Sequence, residues 1–323
     1  MRPRQAHGAA SDRAAPPLAA LPSAPGQDRA GDGAAEGGHT IEPVPDTAGI
    51  VLAGGRSSRM GTPKAALEWH GSTLLRRTTG ILARVTCGPV LVVRAPGQEL
   101  PALPPQVEVV TDPAEGLGPV QGLAAGLAAL SGRADIAFVS STDMPFLHPA
   151  FVRRVLRPAA AGADVALPVA RGYPQPLAAA YRVALAPVVT RLVGEQRLRP
   201  AFLFEQCQVT RLDEAALRAD PVLAALDPDL DSVINVNSPD DYAGARARPA
   251  PEVTVQLFGT LAGGHRGPRP VRAATVAAAA AATGVALDGH VVAALNAAQV
   301  TRDGEMPLAA GDTVFFLSAG AAG

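Results

Sequence analysis

The chain has 323 residues, 48% of them hydrophobic, enough for one large domain or two with a sizeable core. Its 28 Lys and Arg against 29 Asp and Glu leave a formal net charge of -1, which excludes the strongly basic balance of a nucleic-acid-binding surface. No apolar run approaches bilayer-spanning length, and no continuous apolar segment follows Arg2 and Arg4 as a secretory signal requires. The expectation is a cytoplasmic protein with neither membrane nor nucleic-acid partners. Cys87 and Cys207 lie far apart without C-x-x-C spacing. They suggest reduced thiols rather than a zinc site or a disulfide framework.

Residues 1–46 are rich in Ala, Gly, Pro and Asp and nearly free of large apolar side chains. Such a tail buries too little to offset its ordering entropy and reads as disordered, or as the product of a misplaced start codon. His7 and His39 within it read as solvated bystanders. From Thr47 the pattern alternates. A strand is expected at 49–52. A helix follows at 72–85, where Leu74, Leu75, Thr78, Ile81, Leu82 and Val85 recur at helical spacing. Strands follow at 90–94 and 107–110. The turn Gly116-Leu117-Gly118-Pro119 then opens an Ala-rich helix at 122–130. A buried-type strand is expected at 136–140 and a helix at 150–156. Strands at 165–169 and 177–181 are candidates to pair with each other. Helical segments are expected at 184–193 and 200–204, and strands at 209–212 and 232–236 close the sheet. This order predicts an α/β fold, a Rossmann-like, mostly parallel sheet whose ligands sit beyond the carboxyl ends of its strands.

The composition then shifts to an Ala, Arg and Pro linker at 246–251. Beyond it Val253, Val255 and Leu257 alternate as a strand, and an Ala-rich helix at 273–283 is stopped by Gly284. Further strands are expected at 290–295 and 313–317, the last after the turn Gly311-Asp312, while 263–270 is short for a full hairpin. The expected division is a tail at 1–46, one domain at 47–245, the linker, and a small α+β domain at 252–323.

The most informative stretch is Leu52-Ala53-Gly54-Gly55-Arg56-Ser57-Ser58-Arg59-Met60-Gly61-Thr62-Pro63-Lys64. An apolar strand feeds it and a helix follows. Its two glycines permit a tight turn or close approach of another molecule, bare N–H groups can form an anion-holding concavity, and Arg59 and Lys64 add positive charge. Three later segments stand where strands end. They are Thr111-Asp112-Pro113 with Gly116–Leu123, then Ser141-Thr142-Asp143-Met144-Pro145-Phe146, and then Asn235-Val236-Asn237-Ser238-Pro239-Asp240-Asp241-Tyr242. On local chemistry alone, the first also reads as an Asp-Pro turn before a capped helix, and the second as a turn-initiating Asp. In the third, strand alternation puts Asn235 and Asn237 on one side, and Asn237 or Ser238 can also cap a helix beginning at Pro239.

The glycine stretch resembles, without a break, the L-A-G-G-x-S-x-R-M-G-x-x-K signature of the nucleotidyltransferases that make the molybdenum dinucleotide cofactor, in particular the guanylyltransferase (MobA) branch. The later segments resemble that family's T-D…G-x-G-P-L-x-G-L, C-D-x-P-F and N-V-N-T-P-E-D-Y blocks, with Thr142 in place of the cysteine. Two further stretches are similar to family segments. Tyr173–Tyr181 carries Gln175 where His is common, and Leu198–Leu203 corresponds to a basic helix near the acceptor.

The resemblance implies transfer of GMP from GTP to molybdopterin or its molybdenum form, with pyrophosphate released. It implies Arg59, Lys64 and Asp143 as catalytic residues. Leu52, Ala53, Gly54, Gly55, Lys64, Asp112 and Asp143 would contact the nucleotide. Asp143 would be the ligand of Mg²⁺, and Asn235 and Asn237 would lie at the acceptor end. A cytidylyltransferase or other small nucleotidyltransferase, and a non-catalytic nucleotide-binding scaffold, stay open as alternatives. Residues 252–323 resemble the β-grasp (ubiquitin-like) sulfur carriers of the MoaD/ThiS kind. That resemblance implies a thiocarboxylate at Gly323, an E1-like activating enzyme and the large subunit of molybdopterin synthase as partners. Ala322 replaces their penultimate glycine, and a fold-stabilising or docking module is the other reading.

Overall fold

In the computed structural model, which describes residues 41–54, 63–113, 116–263 and 267–318, the apolar run ahead of the glycine loop forms strand β1 (Thr47–Leu52), buried along its whole length. A strand covered on both faces needs such a continuous apolar run. The small hairpin β2 (Glu68–Trp69) and β3 (Ser72–Thr73) leads into helix α1 (Leu74–Ala83). This helix starts two residues later than its periodicity suggests. Ser72 is paired in the hairpin, and Thr73 Oγ1 accepts the Arg76 N–H as an N-cap. Leu74, Leu75, Thr78, Ile81, Leu82 and Val85 are all buried, as expected.

There follow β4 (Val90–Arg94), β5 (Val107–Thr111), α2 (Pro119–Ala129), β6 (Ile136–Ser141), α3 (Pro149–Ala160), β7 (Val165–Ala170), β8 (Tyr173–Pro174) and β9 (Ala178–Arg182). Helices α4 (Ala186–Gly194) and α5 (Pro200–Phe204), strand β10 (Val209–Leu212) and helices α6 (Glu214–Arg218), α7 (Pro221–Leu226) and α8 (Pro239–Ala247) complete this part. The sheet order is β10-β7-β9-β6-β1-β4-β5, with β8 beside β7. Strands β5, β4, β1 and β6 run parallel, as do β7 and β10, while β9 is antiparallel to both its neighbours. Helices α1 and α3 cover one face over Val51, Val92 and Phe138, and α2 and α4 cover the other over Ile50, Leu91 and Val139. The α2 backbone comes so close that a Cβ on Gly126 would stand 2.9 Å from Ile50 Cγ2. The result is an α/β fold with a mostly parallel central sheet.

Residues 232–236 do not form the expected closing strand. The Asp227 carboxylate accepts the N–H groups of Asp231 at 2.7 Å and Ser232 at 3.1 Å, and Leu230 takes φ +52°. That local capping winds Asp231–Val233 into a 3-10 turn instead. Helix α8 opens on a capping box between Ser238 and Asp241 and continues to Ala247, two residues into the expected linker. Cys87 and Cys207 are free thiols. Among the described residues no helix is long and apolar enough to cross a membrane.

A second sheet contains β11 (Glu252–Leu257), β12 (Arg269–Arg272), β13 (Val291–Leu295), β14 (Gln299–Thr301) and β15 (Thr313–Ser318), with helix α9 (Val276–Ala282) between β12 and β13. Its order is β12-β11-β15-β13-β14. Strands β11 and β15 run parallel at the centre, and the remaining pairs are antiparallel. Val253, Val255, Val314 and Phe316 pack against Val276, Ala279 and Ala280 of α9. The stretch read as too short for a hairpin does pair, Val255 with Arg269 through Glu252 with Arg272. Both sheets belong to one compact unit. Ala309, from the segment before β15, is buried in the same core as Val51, Met144 and Leu147.

Candidate active site

The parallel register puts the carboxyl ends of β5, β4, β1 and β6 side by side. Leu52 and Ala53 are buried there, and Gly54 is exposed. The Ala53 and Gly54 N–H groups, expected to meet a nucleotide, both donate to the Val93 carbonyl, at 2.8 and 3.3 Å. The ladder between β1 and β4 simply runs on past Leu52. The Gln98 carboxamide extends it further, accepting from Ala95 N–H and donating to the Ala53 carbonyl, both at 2.9 Å. Nothing local in the sequence signalled Gln98. At the next strand end Asp112 is half-buried and donates its N–H to the Arg94 carbonyl at 2.8 Å. Gly116 and Gly118 take φ +87° and +78°, conformations that only glycine adopts cheaply, to deliver α2 with Pro119 in its first turn. Gly118 brings no side chain to cap that helix, and helix N-termini favour negative charge.

Lys64 opens a 3-10 turn, Lys64–Ala66. Its Nζ donates to Asp143 Oδ2 at 2.8 Å and to Asn237 Oδ1 at 3.0 Å. Asp143 stands two residues beyond β6. Its other oxygen accepts from Ser141 Oγ, and its carbonyl accepts Val236 N–H at 2.9 Å. The Lys64 and Asp143 side chains are 20% and 16% exposed, open enough to be reached and buried enough to be fixed. Asn237 is oriented by the start of α8, where Asp241 Oδ2 accepts its N–H at 3.0 Å. Hydrogen bonds from Ser238 and then Asn237 hold the Asp241 carboxyl below its usual range, with Lys64 adding a smaller pull. Asn235 does not share this contact. Its Nδ2 donates to Val233 O at 3.4 Å, because the segment is not the alternating strand expected of it. Gln175 is held by its own turn, donating to the Ala170 and Tyr173 carbonyls. Arg59, Gly55 and Gly323, with His7 and His39, lie outside the described residues. Among the described residues no cluster of three or more His, Cys, Asp or Glu forms a ready-made metal cage.

An open α/β sheet that gathers Gly54, Lys64, Asp143 and Asn237 at its carboxyl edge has the architecture in which doubly wound proteins bind their ligands. Residues 49–210 match the family model for the MobA-like NTP transferase domain. The chain is 42% identical over 178 residues to a protein of Mycobacterium tuberculosis named probable molybdenum cofactor guanylyltransferase, a match over 53% of this chain and 87% of that one. It is 37% identical over 179 residues to a protein of the same name from Mycobacterium avium, over 54% of this chain and 89% of that one. In fold it is similar to the crystal structure of molybdopterin-guanine dinucleotide biosynthesis protein A from Archaeoglobus fulgidus. That structure has a TM-score of 0.50 and 23% identity, over 62% of this chain and 96% of that one. The chain belongs to the MobA-like NTP transferase family, and it is a nucleotidyltransferase.

Proposed function

We propose that this protein transfers GMP from GTP to the terminal phosphate of molybdopterin, or of its molybdenum-loaded form, in molybdenum cofactor biosynthesis. The observation that carries this reading is the Lys64 ammonium held between Asp143 Oδ2 and Asn237 Oδ1. It joins three separate sequence blocks at the carboxyl edge of the sheet, where doubly wound folds generally bind their ligands. The names of the mycobacterial relatives support the same activity.

A phosphate oxygen of the acceptor attacks the α-phosphorus of GTP, the bond to the β-phosphate oxygen breaks, and pyrophosphate leaves. The attacking oxygen is already an anion, so no strong general base is required. The barrier is the approach of two anions, and the protein's task is to neutralise, align and exclude water. Lys64 and Arg59 stabilise charge on the α-phosphate and the departing pyrophosphate. Leu52, Ala53, Gly54, Gly55 and Asp112 border the nucleotide, and Asn237 and Asn235 flank the acceptor.

The donor set fits a hard divalent cation. Asp143 offers carboxylate oxygens and Asn237 its amide oxygen, and together they already hold one cationic group, the Lys64 ammonium. Asp143 is the residue that would hold Mg²⁺, which when bound supplies neutralisation of phosphate oxygens and in-line alignment. Assay of the purified chain with molybdopterin and Mg²⁺ tests the reading. GTP is expected to release pyrophosphate and yield the guanine dinucleotide, and preference for CTP would instead make the protein a cytidylyltransferase. Nucleotide binding without pyrophosphate release would make it a scaffold.

For residues 252–323 the reading is a β-grasp module joined to the transferase by a short linker after α8. A mixed sheet with a central parallel pair wrapped on one helix supports it. Between sulfur carriage from Gly323 and a docking role, the buried Arg84–Asp312 ion pair favours docking. Intact mass after incubation with an E1-like activating enzyme, ATP and a sulfur donor separates the two. A thiocarboxylate at the terminus supports carriage, and an unchanged mass supports docking alone.

A further inference from the structure

We infer that Arg77 is a positioning residue that ties the Asp143 loop to the seated C-terminal sheet, so that transferase turnover depends on that seating. The inference rests on the proposed role of Asp143 at the phosphates. Arg77 lies on α1 and is only 6% exposed. Its Nε donates to the Pro145 carbonyl at 2.5 Å, two residues beyond Asp143. Its Nη1 donates to the Leu308 carbonyl of the C-terminal part at 3.0 Å. One guanidinium therefore spans from the candidate catalytic loop to the second sheet's approach segment. Burial, with neighbouring Arg84, lowers its pKa to about 10, so it is still a cation at neutral pH. A buried cation bonded only to carbonyls is a costly way to fill space. Its fork geometry suits the joining of two backbones.

The far end of the same loop is held in the same way. His148, the N-cap of α3, accepts the Ala150 N–H at Nδ1, which leaves Nε2 to donate to the Ala310 carbonyl at 3.1 Å. Residues 143–148 are thus bracketed by Leu308 on one side and Ala310 on the other. The segment between them is pinned in turn. Arg84 Nη1 and Nη2 reach the Asp312 carboxylate at 2.9 and 2.5 Å, and both side chains are 5% exposed. Asn296 Nδ2 and Ala309 N–H donate to the same carboxylate at 2.9 and 2.7 Å. Arg76 pairs with Asp303 at 2.8 Å on the rim. Gly80 leaves room for Pro307, whose ring carbons would lie 2.5 Å from a Cβ there. In-line transfer tolerates little misplacement of its charged groups, and this bracket fixes where Asp143 stands.

The test uses the full chain and three variants, Arg77→Met, Arg77→Lys and Asp312→Asn. Turnover, KM for GTP, the Mg²⁺ concentration giving half activity, and hydrogen exchange over residues 143–148 are measured for each. Arg77→Met is expected to lower kcat by about tenfold to a hundredfold, raise the Mg²⁺ requirement and speed exchange in the loop, with KM for GTP nearly unchanged. Arg77→Lys, which can reach one of the two carbonyls, is expected to recover part of the loss, and Asp312→Asn to reproduce it more weakly. If Arg77→Met does not fold, the other two variants carry the test. Wild-type kcat, Mg²⁺ requirement and loop exchange in the folded variants would overturn the inference. Failure of the transferase reading shows separately, as no pyrophosphate release by the wild-type chain, and failure of the Asp143 role as wild-type turnover in Asp143→Asn. The exchange measurement still reports on Arg77 in that event.

Discussion

Lys64 meets an aspartate 79 residues away and an asparagine 173 residues away through one ammonium group. Each residue was legible locally, because each sits in a block with its own turn and strand-end chemistry. Their meeting was not, since it depends on the parallel register. Arg77 was missed although a signal existed. It is a charge three residues after Leu74 and four before Ile81, at the margin of a helical face read as core. Replacing Lys64 or Asp143 by alanine is expected to lower kcat on the order of 10²-fold and leave the thermal transition nearly unchanged, since both side chains are partly exposed. Kinetics beside a melting curve checks this, and a large drop in melting temperature would recast the pair as structural.

His148 gives a pH prediction. Burial lowers its pKa, with Arg84 adding to the effect and the Ala310 carbonyl, Asp312 and Asp227 opposing it. The unfolded chain then binds the proton more readily than the folded one. Stability is therefore complete above the unfolded value near pH ~6.5 and falls as pH drops from there through the folded pKa. Urea midpoints are expected to decline with acidification over that window, and to decline less in His148→Gln. Equal slopes would remove His148 from the account.

At the level of elements, α1 serves two neighbours. The stripe Leu74, Leu75, Thr78, Ile81, Leu82 and Val85 packs on its own sheet and elements, and was read from spacing alone. The adjoining stripe of Arg77, Gly80 and Arg84 receives the C-terminal segment at Leu308, Pro307 and Asp312. Gly80→Ala places a methyl 2.5 Å from the Pro307 ring. Helix propensity favours alanine by about 1 kcal/mol, but overpacking against a rigid ring costs about 1–3 kcal/mol. A net loss of stability in urea titration is expected, and a gain would mean that Pro307 yields easily. Residues 232–236 show the opposite limit of element-level reading. Val233, Ile234 and Val236 are β-branched and favour a strand, but the Asp227 carboxylate caps the segment into a turn.

Across the whole molecule, the two-sheet composition was visible in the linker and the second strand pattern. The seating of one sheet's segment on the other was not. It is made by isolated Arg, Asp, Gly and Pro residues with no common period. The Arg84–Asp312 pair is the main polar lock, and both side chains are 5% exposed. Asp312→Ala leaves a buried guanidinium unpaired and is expected to cost about 3–5 kcal/mol in equilibrium unfolding. Arg84→Met with Asp312→Leu in one chain is expected to recover part of it, since Asn296 Nδ2 and Ala309 N–H still lose their acceptor. A cost under about 1 kcal/mol for the single change, the range of an exposed pair, would mean that the lock is open to water.

In the proposed reaction Lys64 and Asp143 bring a nucleotide's α-phosphate to a phosphorylated acceptor. The most direct measurement is the product mass after the purified chain acts on molybdopterin with GTP and Mg²⁺. The wild-type chain is expected to yield the GMP adduct with pyrophosphate, and the Lys64→Ala and Asp143→Ala variants almost none. Formation of the adduct at the wild-type rate by both variants would contradict the account.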